Sequence, residues 1–154
     1  VTILFGYISG GIARGVAVGF VVTLVSLFFS QLQIYNLAVL VSIIVLTSTL
    51  FALGGFTNAL FAKKFDDIAI IPTFVLTPFT YLGGVFYSIQ LLPEFWQTVS
   101  HFNPVLYMIN AFRYGFLGIS DISLGLSYLI IVSFIAALFL INLSLLQRGY
   151  GLRS

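Results

Sequence analysis

The sequence contains no cysteine and very few charged residues. Six residues are Lys or Arg and four are Asp or Glu, which is 6% of the 154 residues, whereas a soluble domain carries about 25%. Because so little charge cannot cover a water-facing surface, most of the chain is expected to face lipid. The lack of cysteine excludes disulfides, thiolate catalysis and cysteine-based metal sites. A net charge of +2 without a Lys/Arg-rich run also argues against nucleic-acid binding.

Sequence motifs for catalysis, metal binding and nucleotide binding are also missing. The single histidine, His101, has no second catalytic residue at a recognisable spacing. Asp66 and Asp67 lack histidine partners and follow Lys63 and Lys64, which predicts a solvated loop rather than a metal site. The sequence has no GxxxxGK[ST] phosphate-binding loop. We therefore expect no enzymatic activity, no catalytic or metal site and no cofactor, and any use of a nucleotide would require another domain to bind it.

The sequence does contain long apolar runs. About 20 apolar residues in a helix cross a bilayer core, and four runs qualify, at 11–30, 37–61, 68–87 and 124–146. None of them alternates with the period of two that is typical of membrane strands. The prediction is an all-α, polytopic transmembrane bundle in which every charged residue lies away from the middle of a run.

The basic residues predict an orientation for these spans. The loop with Lys63 and Lys64 is placed in the cytoplasm, as the positive-inside rule favours. Five of the six basic residues then lie on that side: Arg14, Lys63, Lys64, Arg148 and Arg153. Both chain ends are cytoplasmic in this arrangement. The remaining basic residue, Arg113, lies outside.

The segment 91–117 is predicted to form two short helices, external or re-entrant, before the last span. Asn103 and Pro104 suit the N-cap and first position of the second helix, and Gly118 suits its end. A more polar stripe follows this helix: Asn103, Tyr107, Asn110 and Tyr114. Trp96, in the first short helix, suits the aromatic belt of a membrane interface.

Pro72 and Pro78 interrupt the third run. Each removes a backbone donor, which leaves the carbonyls of Ile68 and Phe74 without their helical partners. Three nearby threonines are available as partners: Thr73, Thr77 and Thr80. The span is expected to be kinked, either as a tolerated irregularity or as part of a moving gate.

Glycines provide a packing signal in the first run. Gly11, Gly15 and Gly19 are spaced by four residues, which allows two helices to approach closely. Packing within one bundle is favoured over a dimer interface for this face.

Together these segments resemble the C-terminal part of the membrane subunit of ABC-2-type transporters, a family that includes bacterial inner-membrane permeases. The matching segments are GYISGGIARG at 6–15, FAKKFDDIAIIPTFVLTPFTYLGGVFYS at 61–88, LLPEFW at 91–96, NPVLYMINAFRYGFLGI at 103–119 and QRGYGLRS at 147–154. The resemblance implies that residues 1–154 are part of one transmembrane domain of a half-transporter. It further implies pairing with a second copy, and energy from a separate ATP-binding cassette ATPase.

The resulting hypothesis is an exporter permease in the bacterial inner membrane, with an apolar path suited to a lipid-linked or amphipathic substrate. The hypothetical external gate consists of Trp96, Asn103, Pro104, Tyr107 and Arg113. The residues expected to face the ATPase are Gly10, Arg14, Lys63, Lys64, Asp66 and Asp67. Two alternatives stay open: a membrane scaffold that assembles through the glycine face, and a secondary transporter whose coupling residues lie elsewhere.

Overall fold

The computed structural model describes residues 2–29 and 33–149, and every regular element within these ranges is a helix. In chain order the elements are α1 (Thr2–Phe29), α2 (Leu37–Phe61), α3 (Phe65–Ile71), a π-helical turn (Pro72–Leu76), α4 (Thr77–Leu82), a 3-10 turn (Ile89–Leu91), α5 (Glu94–His101), α6 (Pro104–Leu117) and α7 (Leu124–Gln147). The prediction of an all-α fold is confirmed. The predicted end of the first span at Ser30, and Arg153 in the tail, lie outside the described residues.

Three of the described helices, α1, α2 and α7, are long and apolar enough to cross a membrane. The bounds of α2 match the predicted run, and α7 extends it by one residue to Gln147. α1 begins at Thr2 rather than at Gly11, because the residues before Gly11 are also apolar and continue the helix. Arg14 therefore lies inside a helix, and the expectation that all charges lie away from the middle of apolar helices is wrong at this position.

The third predicted run is helical but broken, and its helical part ends at Leu82 rather than at Tyr87. The π-helical turn begins at Pro72, where the missing N–H interrupts the regular hydrogen-bond ladder. After α4, Gly84 adopts a φ of 76°, a conformation that favours glycine and turns the chain away. The segment thus departs from a regular α-helix at Pro72, whereas the kink and the count of four spans stay predictions.

The carbonyl that Pro72 leaves free has a partner in another helix. The Asn58 side-chain amide, in α2, donates a hydrogen bond of 2.9 Å to the Ile68 carbonyl oxygen. Thr80 donates instead to the Leu76 carbonyl of its own helix, at 2.8 Å. The side-chain donor to the Ile68 carbonyl is therefore not one of the three available threonines but a residue of a neighbouring helix, which spacing along one helix does not reveal.

α2 and α7 run parallel and are joined by hydrogen bonds near both ends. The hydroxyls of Ser42 and Tyr128 share one of these bonds. At the other end the Thr57 hydroxyl donates to the Asn142 side-chain oxygen at 2.9 Å. α6 packs against both helices, in a core cluster of Ile43, Leu50, Ile89, Leu106, Tyr107, Met108, Ala111 and Ile131.

The bundle has two ends with different charges. Lys63 and Arg148 follow the last residues of α2 and α7, so they lie at one end, which we call the Lys63 end. Arg113 lies near the other end, the Arg113 end, where the Asn36 N–H donates to the Gly115 carbonyl at 2.9 Å. Arg113 was predicted to lie on the opposite side of the membrane from the other basic residues. The fold agrees with this prediction for two of them, Lys63 and Arg148.

Candidate functional site

Arg113 ties three segments together at the Arg113 end. One guanidinium nitrogen, Nη1, lies 2.9 Å from Asp121 Oδ2, and the other, Nη2, donates to the Gly84 carbonyl oxygen at 3.0 Å. The Ser88 hydroxyl donates to the same Asp121 oxygen at 3.1 Å. Arg113 in α6 therefore holds the turn after α4 and the loop before α7 in one ion-paired cluster.

Asn103 performs two tasks at the start of α6. Its side-chain oxygen accepts a hydrogen bond of 3.0 Å from the Val105 N–H, which confirms the predicted N-cap. Its amide nitrogen donates to the Phe79 carbonyl of α4 at 2.6 Å. The two helices are close here, since a Cβ added to Gly83 would lie 3.0 Å from side-chain carbons of Val105 and Ile109. Asn103 thus fixes the end of the broken helix against α6.

The polar stripe of α6 points largely into the protein. Tyr107, 4% exposed, donates its hydroxyl to the His101 carbonyl at 2.7 Å, and burial raises the pKa of this phenol above its ordinary value. Asn110, 1% exposed, accepts the Asp121 N–H at 3.0 Å and donates to the Leu106 carbonyl. Because these groups are hydrogen-bonded inside the bundle, they stabilise one arrangement of α6 and the loop before α7.

Trp96 stands apart from this cluster. Its side chain is 45% exposed, and its ring contacts that of Phe95 edge-on at 5.3 Å between centroids. Phe95 and Phe102 are also exposed, so α5 and the residue that caps its end present an aromatic surface. Of the hypothetical gate residues, Asn103, Tyr107 and Arg113 are joined to neighbouring elements through hydrogen bonds. Pro104 is buried at the first turn of α6, whereas Trp96 faces outward.

The acidic and basic residues of the α2–α3 loop have distinct positions. The Asp67 carboxylate accepts the backbone N–H groups of Lys63 and Lys64, both at 3.0 Å, and so closes the loop at the start of α3. The side chains of Lys63, Lys64 and Asp66 are exposed at the Lys63 end. Asp67 is therefore a local structural cap, and the other three are free to meet a partner in solution.

The glycine face of α1 packs against α2. A Cβ on Gly11 would lie 2.5 Å from the Ala52 Cβ, and one on Gly15 would collide with the Ser48 hydroxyl. At Gly19 the nearest atom, from Ile44, is 3.6 Å away. The predicted close approach of two helices thus occurs within the chain, and α1 and α2 run antiparallel.

This pairing places Gly10 and Arg14 away from the charged loop. Since Gly15 lies opposite Ser48, Arg14 is level with about residue 49 of α2, and α2 continues to Phe61. At about 1.5 Å per residue, Arg14 lies roughly 18 Å from the end of α2. The residues expected to face an ATPase therefore do not form one cluster, because α1 is longer than the predicted span.

An open groove of about 980 Å³ runs along α1, α2 and α6. Its lining is mostly apolar and includes Val18 and Val22 of α1 and Phe112 of α6. Arg14 is the charged residue among the described residues that line it. The hydroxyl of Thr47, which also lines the groove, is buried and has no hydrogen-bond partner in the described part of the chain. We call this the Arg14 groove.

Sequence reasoning did not identify the Arg14 groove or the polar contacts of the apolar helices. Asn58 and Asn142 are 7% and 0% exposed, and the Asn142 amide donates to the Leu53 carbonyl of α2 at 3.0 Å. An asparagine inside an apolar run is the signal that would have marked both positions, because a buried amide requires hydrogen-bond partners.

Comparisons with known proteins identify the family. Residues 1–117 match the ABC-2 type transporter family. The chain is 57% identical over 152 residues to the inner membrane transport permease YadH of Escherichia coli (strain K12), covering 99% of this chain and 59% of that protein. It is 30% identical over 108 residues to nodulation protein J of Rhizobium leguminosarum bv. viciae, covering 69% of this chain and 41% of that protein.

The chain thus spans about 59% of the length of YadH. No solved structure is significantly similar. The family match extends from α1 to the end of α6, and therefore includes the lining of the Arg14 groove and Arg113 itself, but not its ion-pair partner Asp121. On this evidence the chain belongs to the ABC-2 type transporter membrane family.

Proposed function

We propose that this chain forms the C-terminal membrane part of a permease subunit of an ATP-binding cassette transporter. The observation that carries the proposal is the open groove along two membrane-length helices, in a chain that is 57% identical to a transport permease. A groove that is apolar and open along its length suits passage of a substrate through a bundle. The protein itself would bind and release substrate, without catalysing a reaction.

A separate ATPase subunit would supply the energy. The sequence lacks a phosphate-binding loop, and the exposed charges of Lys63, Lys64 and Asp66 offer a polar docking surface. We assign the Lys63 end to the cytoplasm by the positive-inside rule, which places both ends of the chain there. In the export direction, substrate would enter near the Lys63 end and leave near the Arg113 end.

The broken segment from Phe65 to Leu82 would be a further span. At about 1.5 Å per residue it rises roughly 27 Å, close to the bilayer core of about 30 Å. Ile70, Ile71 and Phe74 on this segment are exposed, as lipid-facing or partner-facing side chains would be. With this span the chain crosses the membrane four times, and α5 with α6 forms a re-entrant pair before the last crossing.

A second copy of the permease would close the open side of the Arg14 groove. Large apolar residues on the outer side of α1 are exposed, among them Phe20 and Val21. A scaffold that assembles through Gly11, Gly15 and Gly19 has less support, since α2 already occupies that face. Arg14 gives no specific support to a secondary transporter, because an arginine stays protonated and cannot carry a proton through a cycle.

The proposal is tested by purifying the intact protein together with the product of any neighbouring ATPase gene. We expect co-purification and an ATPase activity that changes when the permease is present. The K63E/K64E double variant should weaken this association, whereas Q147E, a control at the same end, should not. Absence of an adjacent ATPase gene combined with no co-purifying ATPase would contradict the assignment.

A further inference from the structure

We propose that the Arg14 groove binds an anionic amphiphile, with its phosphate or carboxylate group on the Arg14 guanidinium and its apolar part along α1 and α2. An anionic amphiphile would be the substrate class of the proposed permease, so this inference rests on the proposed function. Binding itself, however, is measurable without an ATPase.

The first step of the argument is the position of Arg14. It lies inside a helix of membrane length and is exposed toward the groove. Within residues 2–29 and 33–149 it has no ion-pair or hydrogen-bond partner. A charge placed within an apolar helix is costly and marks a pathway or a ligand site by default. An anionic ligand would supply the missing partner.

The second step is the chemistry of the guanidinium group. Its planar arrangement of N–H donors matches the oxygens of phosphates and carboxylates, and pairs with them in bidentate fashion. Among the described residues that line the groove there is no Asp or Glu that would compete for it. Because the groove carries one positive charge and no negative charge among these residues, the ligand is expected to be an anion.

The third step concerns the remaining lining. Two hydroxyl-bearing residues, Thr47 and Ser48, also line the groove, and the buried Thr47 hydroxyl has no hydrogen-bond partner among the described residues. Val18, Val22 and Phe51 supply apolar surface. A volume of about 980 Å³ lies at the upper end of ordinary ligand sites, and is far more than a bare anion requires. The groove therefore fits a molecule with an anionic head and an apolar body.

The test uses the intact protein and native mass spectrometry of lipid adducts. The protein is exposed to an equimolar mixture of phosphatidylglycerol and diacylglycerol with identical acyl chains, since diacylglycerol lacks the phosphate. We expect preferential retention of phosphatidylglycerol by roughly tenfold, the factor that a single charge-assisted hydrogen bond supplies. R14Q should abolish this preference and R14K should retain part of it. R148Q removes the same charge from the exposed end of α7 and should behave like wild type.

A second pair of variants tests the location independently of charge. Gly10 lines the groove and a Cβ added there meets no atom within 4 Å, so G10L places a side chain in open space. Gly54 is equally open but is not part of the lining. We expect G10L to reduce binding of the amphiphile at least fivefold, and G54L to leave it unchanged. An equal loss in both variants would overturn the placement.

Two further outcomes decide against the proposal. A preference for phosphatidylglycerol that survives in R14Q shows that Arg14 does not hold the headgroup. Glycerol phosphate that competes as effectively as the complete lipid shows that the site takes a bare anion. If phosphatidylglycerol binds through Arg14 but no ATPase associates, the proposal of an anion site at Arg14 is supported and the proposed transporter function is contradicted. If the ATPase associates and R14Q changes nothing, the permease stands and the site fails.

Discussion

The Asn58 amide of α2 donates a hydrogen bond to the Ile68 carbonyl of α3, the acceptor that Pro72 deprives of its helical donor. Proline and asparagine are thus two halves of one arrangement. Pro72 leaves a carbonyl oxygen in an apolar segment without a backbone donor. Asn58, which is 7% exposed, donates a hydrogen bond to that oxygen from another helix. α3 is docked on α2 as a result.

The Asn58 contact predicts a specific rescue. N58A should destabilise the protein by about 1–3 kcal/mol, the cost of leaving a buried polar group unpaired. Adding P72A restores a backbone donor to the Ile68 carbonyl, so the double variant should recover part of that loss. Thermal unfolding in detergent measures both effects. T80A, which removes a bond within a single helix, is the control, and an additive result in the double variant would contradict the coupling.

Arg113 and Asp121 are expected to act as a pair. R113Q and D121N should each loosen the loop before α7, with a coupling of about 1 kcal/mol, since both side chains are partly exposed, at 23% and 27%. Hydrogen exchange of the segment 83–92 should rise more in R113Q than in D121N, because only Arg113 contacts the Gly84 carbonyl. Equal exchange in the two variants would argue against that contact.

Two glycine substitutions are expected to change the free energy of unfolding in opposite directions. G15A should destabilise the α1–α2 pair by about 1–3 kcal/mol, because the added carbon meets Ser48. G54A adds its carbon in open space and should stabilise α2 by about 0.5–1 kcal/mol through helix propensity. Unfolding in detergent measures the two shifts. A loss of oligomers in G15A without any loss of stability would instead favour the scaffold alternative.

Asn142 is expected to hold α7 against α2. It accepts from Thr57 and donates to the Leu53 carbonyl, and it is fully buried. N142A should therefore lower the free energy of unfolding by about 1–3 kcal/mol. S133A removes an exposed hydroxyl that bonds within α7 and should change it little. Similar effects of the two variants, measured by thermal unfolding, would show that the α2–α7 bonds contribute nothing specific.

The sequence predicted correctly those features of the fold that depend on residues close together along the chain. The length of an apolar run predicted α2 and α7, and the Asn103-Pro104 pair predicted the start of α6, since capping depends on adjacent residues. Gly118 was also predicted correctly as the end of α6, with a φ of 72°. These features follow from backbone geometry that neighbouring residues determine.

The sequence was insufficient where partners lie far apart along the chain. The Thr57–Asn142 bond joins residues 85 positions apart, and the Arg113–Gly84 bond spans 29. The prediction that Arg14 lies away from the middle of an apolar helix was wrong for a related reason. Its depth depends on how far α1 continues toward Thr2 and on which residues of α2 lie opposite, and neither is encoded in the run of apolar residues alone.

The parallel pair of α2 and α7 has a mechanical consequence. A pair of helices bonded only at one end can splay apart, and a pair without polar bonds can slide. Bonds near both ends, Ser42 to Tyr128 and Thr57 to Asn142, oppose both movements. Any change of shape that opens or closes the protein should therefore leave α2 and α7 fixed to one another. The displacement should fall on α1 and on the broken segment from Phe65 to Leu82.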